Sequence, residues 1–281
     1  TGTDSGRLVD VWMITGRDQA QTLRALAEKD FSPAKGIGVN IRLVKEDTVL
    51  PAVAANCGPD VALTMARSTP VDYGLRSALM DLTRFEDLPQ VLEWFSPQAV
   101  EPFRLGERLF ALPEQEYFLA MFYRTDILAE LGLEIPQTWE DLFDILYVLH
   151  QNSMDVGLPN VATSDAAQAG SGTELYTMFL FQNGGEFYNE EKGATLLDSN
   201  TALEAFEQLM SLYTKYKVTT QMNHWSRFRS GEAPIILQPF TYYNTFESTA
   251  PELRGLWDMA PVPGTMRDGE INRTTSNVVT G

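Results

Sequence analysis

Two glutamates one residue apart, Glu114 and Glu116, stand in the run ALPEQEYFLAMFYRTDIL (Ala111 to Leu128), at the mouth of an apolar and aromatic segment. Hydrolysis of a glycosidic bond uses two carboxyl groups about 5 to 10 Å apart, and residues two apart in an extended segment share a face. The spacing therefore permits a catalytic pair. Acidic doublets are common in a chain with 38 Asp and Glu against 21 Lys and Arg, so surface solvation ranks first, ligand binding second and catalysis third. No other signature supports chemistry at the pair. The sequence has no G-x-S-x-G, H-E-x-x-H or EF-hand loop, and the GSG at Gly170 to Gly172 lacks a preceding strand. The GIG at Gly36 to Gly38 precedes a strand, as a turn does, whereas a dinucleotide loop follows one. No catalytic residue, metal ligand or cofactor is assigned.

Aromatic and amide side chains gather near strand ends and loops: Trp12, Tyr117, Trp139, Trp225, Tyr242 and Tyr243, with Gln115, Gln238 and Asn244 close in sequence. Rings offer flat faces to the C–H surfaces of sugars, while amides and carboxylates read hydroxyl groups. Each ring alone is more often core, Trp139 at a helix start foremost. Their clustering where strands end favours a ligand face, because open α/β sheets bind ligands beyond the carboxyl ends of their strands.

Bulk properties narrow the classes. A formal net charge of -17 repels phosphate backbones and anionic membrane surfaces, which argues against nucleic acid as a partner. The single cysteine, Cys57, excludes an intramolecular disulfide and a multi-cysteine zinc site. The sequon at Asn272 to Thr274 is short enough to arise by chance. No apolar run approaches the roughly 20 residues of a membrane span, and TGTDSGR lacks the basic and apolar regions of a signal peptide, so an exported protein has lost its signal before Thr1.

The elements that must position these residues follow from periodicity. RLVDVWMIT is a β-branched run; the segment after it repeats Leu23, Leu26, Ala27 and Phe31 at helical spacing; GVNIRLVKE alternates; and PDVALTMA is a further buried run. The first third reads βαβαβ, a parallel sheet with covering helices. Short helices are expected over Pro70 to Leu79 and Leu88 to Ser96, then two extended runs, RLFALP and FLAMFYR, flanking the acidic segment. TDILAELGLEIPQTWEDLFDILYVLH predicts a helix ended by Gly132 and a second capped by Thr138 with Asp141, burying Leu142, Ile145, Leu146 and Leu149. TELYTMFLFQNGG predicts a buried helix closed by Gly184 and Gly185. SNTALEAFEQLMSLYTKY predicts an amphipathic helix capped by Ser199 or Asn200, with Leu203, Phe206, Leu209, Met210 and Tyr213 on its apolar stripe. A short helix through Gly231, the strand PIILQPF, an aromatic helix start and the extended LWDMAPVPG and TSNVVTG complete the pattern.

Taken in order, PDVALTM, LFALPEQEYFLAMFYRTDILAELGLEIPQTWEDLFDIL, FLFQNGGEF, FRSGEAPIILQPF and DMAPVPG resemble the family 1 extracellular solute-binding proteins, the sugar-capturing components of bacterial ABC importers, over nearly the whole chain. The resemblance implies a periplasmic-binding-protein-like type II α/β fold: two lobes joined by crossover strands that close on a carbohydrate. It places residues 1–112 in an N-terminal lobe to which 259–281 return, 113–116 in a hinge crossover, and 117–258 in a C-terminal lobe that lacks the helices with which such proteins usually continue. The ligand residues it implies are Thr15, Asp18, Arg67, Glu114, Gln115, Tyr117, Trp225, Pro239, Tyr242 and Tyr243, with Tyr242 or Tyr243 stacking on the sugar. Its implied partners are a carbohydrate, expected to be an oligosaccharide, and the permease subunits of an ABC transporter. A monomer outside the cytoplasm is expected, meeting the membrane only through a lipid anchor upstream of Thr1. Two competitors stay open: a carbohydrate-active hydrolase using acidic cleft residues, and a sugar-sensing surface module.

Overall fold

The computed structural model describes residues 7–14, 16–159, 173–189, 191, 193–275 and 278–280, and gives side chains for all of these except 116, 117 and 278–280. The chain divides into two compact units, one of Thr1–Glu116 with Val278–Gly281, the other of Tyr117–Asn277.

In the first unit the β-branched runs become three strands, β1 (Leu8–Met13), β2 (Gly38–Leu43) and β3 (Val61–Leu63), parallel and ordered β2-β1-β3. Parallel strands need long crossovers, and helices supply them. Helix α1 (Arg17–Leu26) runs on through a π turn at Ala27–Phe31 into α2 (Ser32–Lys35), and α3 (Val49–Ala54) links β2 to β3. Gly36, at φ 66°, ends α2 in the left-handed conformation that glycine adopts without a Cβ clash, so Gly36 to Gly38 is a turn. Helix α4 (Thr69–Leu75) stops short of the expected Leu79, with Ser77 at positive φ, and α5 (Leu88–Leu92) and α6 (Pro97–Val100) are equally short. The run RLFALP yields only β5 (Arg108–Leu109), hairpinned to β4 (Arg104–Leu105) around Gly106. Strand β6 (Gln115–Tyr117) then pairs with β13 (Val278–Thr280).

The second unit is built on a mixed sheet, ordered β10-β7-β9-β8, of β7 (Leu119–Arg124), β8 (Val156–Gly157), β9 (Ile235–Pro239) and β10 (Trp257–Ala260). All six residues of β7 are buried, as a central strand covered on both faces requires. Helix α7 (Thr125–Leu131) ends at Gly132, φ 66°, and α8 (Trp139–Gln151) opens on a reciprocal capping box between Thr138 and Asp141. The expected face of α8 is buried, and Trp139 donates from Nε1 to Gln182 Oε1 at 2.8 Å on the neighbouring α9 (Glu174–Gln182). Arg124 ends β7 buried, donating to both oxygens of Asp126 and, through Nη1, to the carbonyls of Phe228 and Arg229 at the end of α11 (His224–Ser230).

Two further expectations change. Helix α10 (Asn200–Thr214), capped by Ser199, turns Ala202, Ala205 and Leu212 to the core and leaves Leu203 and Phe206 55% and 50% exposed, with Leu209 and Tyr213 partly packed. Two small residues thus stand on the buried face, where Tyr176 of α9 donates its hydroxyl to the carbonyl of Ala202 at 3.3 Å, and the bulky stripe is rotated off it. The return expected at residue 259 falls at Val278 instead. Trp257–Ala260 pairs antiparallel with β7, and β11 (Thr265–Arg267) with β12 (Glu270–Asn272), pairings that keep this stretch in the second unit. The last helix, α12 (Tyr242–Thr249), packs its Tyr242 and Phe246 into an aromatic cluster with Phe122.

Candidate functional site

In the first unit, the carboxyl ends of the three parallel strands meet in a knot of backbone donors and carboxylates. Ile14, just beyond β1, donates to the carbonyl of Leu63 at 3.2 Å and to Oγ1 of Thr64 at 3.0 Å. Thr64 follows β3 with φ 62°, a left-handed conformation that is rare for a β-branched residue and costs on the order of 1–3 kcal/mol. Its N–H donates to Oε2 of Glu114 at 2.6 Å, and two residues on Ala66 N–H donates to Oε1 of Glu46 at 3.0 Å. Two carboxylates thus take backbone N–H groups where β3 ends.

Each carboxylate borders its own concavity. Glu114 shares a cavity of about 330 Å³ with Asp60 and an apolar wall that includes Leu63, Met65, Met80 and Phe110. Desolvation against that wall raises the pKa of Glu114 above its ordinary value, outweighing the Thr64 N–H, which lowers it. Glu114 as a residue is nevertheless exposed, so solvent screens its charge. Glu46 opens on a groove of about 610 Å³ lined by Lys45, Asp47, Ser68, Thr69, Asp72 and Tyr73. The Tyr73 hydroxyl is pushed up by burial and by Glu46.

The second unit offers rings. Strand β9 ends at Pro239, Phe240 N–H donates to the carbonyl of Phe118 at 3.0 Å, and the two rings stack with centroids 4.9 Å apart and planes 20° apart. Phe118 is exposed and borders a cavity of about 310 Å³ with Ala120, Met259, Pro261 and Arg273. Tyr243 is 46% exposed with its ring edge-on to Trp257, whereas Tyr242 is 4% exposed inside the aromatic cluster. A larger cavity of about 770 Å³ beside Gly184 and Gly185 has no strand end in it.

The residues singled out from the sequence distribute as follows. Asp18 in the first turn of α1, Arg67 after β3 and Gln115 in β6 are exposed in the first unit. Of the described first-unit candidates only Glu114 has a side-chain bond to a strand end. Pro239 is buried at the end of β9, and Trp225 is half-buried against Phe246 with the Arg229 guanidinium 5.6 Å above its ring, a packing position. Gln238 faces inward to Nδ1 of His224 at 3.0 Å and is buried. Thr15 and the side chains of Glu116 and Tyr117 lie outside the described residues, as does the GSG of Gly170 to Gly172. Sequence reasoning passed over Thr64, Glu46 and Phe118, while the resemblance had already put Phe240 in the segment Pro239 to Tyr243 expected to line the ligand site. Phe118 carried a signal, since it opens a predicted strand; Thr64 carried none, because positive φ at a threonine is not written in residue type.

Among the described residues no group of His, Cys, Asp and Glu could hold a metal ion, and no helix is long and apolar enough to cross a membrane.

Residues 29–273 match the family model described as "Bacterial extracellular solute-binding protein". Comparison with curated proteins gives no match. Among solved structures the chain is similar to maltose-bound MalE3 of T. maritima, at 20% identity and TM-score 0.71, covering 98% of this chain and 72% of that one. It is also similar to the cyclic alpha-maltosyl-1,6-maltose binding protein of Arthrobacter globiformis, at 17% identity and TM-score 0.75, covering 94% of this chain and 67% of that one. A solute-binding protein of an ABC transporter from Thermotoga lettingae, bound with alpha-D-tagatose, matches at 18% identity and TM-score 0.70, covering 98% of this chain and 72% of that one. At such identities the likeness establishes the fold.

Proposed function

The chain belongs to the bacterial extracellular solute-binding proteins, and from that premise we propose that it captures a carbohydrate, an oligosaccharide by preference, outside the cytoplasm for an ABC importer and releases it unaltered. The observation that carries this proposal is the gathering of backbone donors and the Glu114 and Glu46 carboxylates at the carboxyl ends of β1 and β3. Such an edge reads hydroxyl groups, whose paired donor and acceptor capacity matches carboxylate and amide neighbours. Exposed Phe118, backed by half-buried Phe240, and Tyr243 supply the complementary chemistry, flat apolar faces for sugar C–H surfaces. Similarity to solved proteins bound to maltose and tagatose, and to a cyclic alpha-maltosyl-1,6-maltose binding protein, supports a sugar over other solutes. Capture by closure of two lobes around a hinge near residues 113–116, and hand-over to permease subunits, belong to the same proposal.

The test is calorimetry on the wild-type chain with maltose, maltotriose, cyclic alpha-maltosyl-1,6-maltose and tagatose. At least one should bind and raise the melting temperature, and its binding should weaken in Glu114→Gln. No heat from any sugar, with the fold intact by circular dichroism, would reject sugar capture. A hydrolase is favoured by one observation, the upward shift of Glu114, which suits a general acid. Prolonged incubation with the bound oligosaccharide and no cleavage product would dismiss it.

A further inference from the structure

Six described residues other than glycine have positive φ, namely Asn56, Thr64, Ser77, Ser153, Lys217 and Asp268, and Thr64 is the only β-branched one. Asparagine, aspartate and serine tolerate this region through local side-chain hydrogen bonds; a β-branched residue is the one most opposed to it. The sheet does not require the strain. Strand β3 is already in register with β1 through Val11↔Val61, Trp12↔Ala62 and Met13↔Leu63 before Thr64 is reached. Strain that the fold does not use, at the end of a strand beside an open cavity, is where function is to be sought.

The contacts of Thr64 show what the conformation achieves. Its hydroxyl donates to the carbonyl of Leu63 at 2.6 Å and accepts from Ile14 N–H at 3.0 Å, which braces the turn against the end of β1. With the side chain fixed, the left-handed backbone turns the N–H to Oε2 of Glu114 at 2.6 Å. Among the described residues this is the one contact of the carboxylate, so Oε1 keeps its acceptor capacity. Asp60, the other carboxylate on that cavity, takes its N–H on Oδ2 from Asp10 at 2.8 Å, within the ordinary extended backbone of β1. Resting on the sugar-capture reading above, we infer that Thr64 is a positioning residue for carbohydrate binding: its strained backbone fixes one oxygen of Glu114 and so aims the other at a sugar hydroxyl.

The experiment has two arms on the full chain. In the first, the Thr64 amide proton is followed by NMR from about pH 3 to 8, a window that spans carboxyl titration. It should titrate with Glu114, lie flat in Glu114→Gln and be unchanged in Asp60→Asn. In the second, maltose, and the rest of the panel if maltose is silent, is titrated into wild type, Glu114→Gln, Thr64→Val, Thr64→Ser and the double variant Thr64→Val/Glu114→Gln. Valine lacks the hydroxyl and opposes the left-handed region, so Thr64→Val should weaken binding about tenfold or more, as Glu114→Gln does. The double variant should be no weaker than Glu114→Gln alone, and Thr64→Ser, which keeps the brace, should stay within about twofold of wild type. A flat Thr64 amide, or losses that add in the double variant, would overturn the inference. If Thr64→Val does not fold, the amide titration of wild type alone decides. A titrating amide with no sugar bound would uphold the contact and reject sugar capture instead.

Discussion

The two units present different chemistry at their strand ends. In the first, the edge is polar: Thr64 and Ala66 N–H groups, the Glu114 and Glu46 carboxylates, and exposed Asp18 and Arg67. In the second it is aromatic: the Phe118–Phe240 stack and the exposed edge of Tyr243. Their interiors differ in the same sense. The second unit encloses two clusters on the central strand β7, a large one with Trp139 and Phe179 that takes Leu119, Met121 and Tyr123, and an aromatic one with Phe246 that takes Ala120 and Phe122, whereas the first divides its apolar residues among three small clusters. A sugar asks for both chemistries, hydroxyl acceptors and flat apolar faces, and a rigid aromatic platform needs a large core behind it. A polar edge needs only well-placed backbone, which small clusters suffice to hold.

The most severe way to break this contrast is to open the larger core of the second unit. Trp139 is fully buried, tilted against Phe179 with ring centroids 4.5 Å apart, and bonded to Gln182. Trp139→Ala should cost about 3–5 kcal/mol, because both the apolar contacts and the partner of Gln182 are lost. Calorimetric unfolding should show the transition of the second unit displaced downward with the first unit's retained; equal displacement of both would mean that the cores are not separate in energy.

Next in size is the polar edge itself. Replacing Glu114 by Gln removes a charged acceptor, which is worth about 1.5–3 kcal/mol to a hydroxyl donor and so tenfold or more in sugar affinity. The pH dependence of binding has a definite sign. Glu114 sits above the ordinary glutamate value through desolvation, so it takes up its proton early on acidification, and affinity should fall as pH drops through that raised pKa. Its effect on stability runs the other way: a raised folded pKa favours the fold at low pH, and that contribution is lost as pH rises through it. Asp126 and Asp141 in the second unit are the reverse case, lowered chiefly by hydrogen bonds from Arg124 and from the Thr138 backbone. Their stabilisation is present above the unfolded value and lost as pH falls through the folded one. Acid titration of unfolding should therefore weaken the second unit by a component that Asp126→Asn removes; an unchanged acid transition in that variant would refute it.

On the aromatic side the expected loss is smaller. Tyr243→Ala should weaken sugar binding by about 1 kcal/mol, roughly fivefold, since one ring–sugar contact is removed at an exposed position. Tyr242→Ala would act through the core, lowering the melting temperature before it touches affinity, because its ring is packed on Phe122 and Phe246. Measuring both separates a ligand platform from its foundation. An affinity loss confined to Tyr242→Ala, with stability intact, would reverse the assignment.

How much of this was legible in the sequence depended on whether the information was local. The parallel βαβαβ start, the Thr138–Asp141 capping box, the Gly132 stop and the face of α8 were all readable, because each rests on residues within one or two turns of each other. The identity of Glu114 as a strand-edge carboxylate was readable from its place between two extended runs. What was not readable depends on distant partners. Thr64 adopts its conformation between Ile14 and Glu114, each 50 residues away. The sheet membership of Trp257–Ala260 is decided by β7, more than a hundred residues earlier, so the return to the first unit came late. Tyr242 and Tyr243 are neighbours with opposite fates, and only the packing of α12 distinguishes them.

The smallest expected effect bears on α10, where pattern and packing disagree most. Periodicity puts Leu203 and Phe206 on the apolar stripe, yet in the fold the residues of α10 buried in the core are Ala202, Ala205 and Leu212. A residue half open to water gives up little when it becomes polar, so Phe206→Ser should change stability by no more than about 0.5 kcal/mol in chemical unfolding. Ala205→Leu should do the opposite, forcing α10 off α9 at about 1–3 kcal/mol through overpacking. The pair discriminates between two ways of burying one helix. If Phe206→Ser costs as much as a core truncation and Ala205→Leu is tolerated, the bulky stripe faces a packed surface and α10 is turned by about one residue from its place in the second unit.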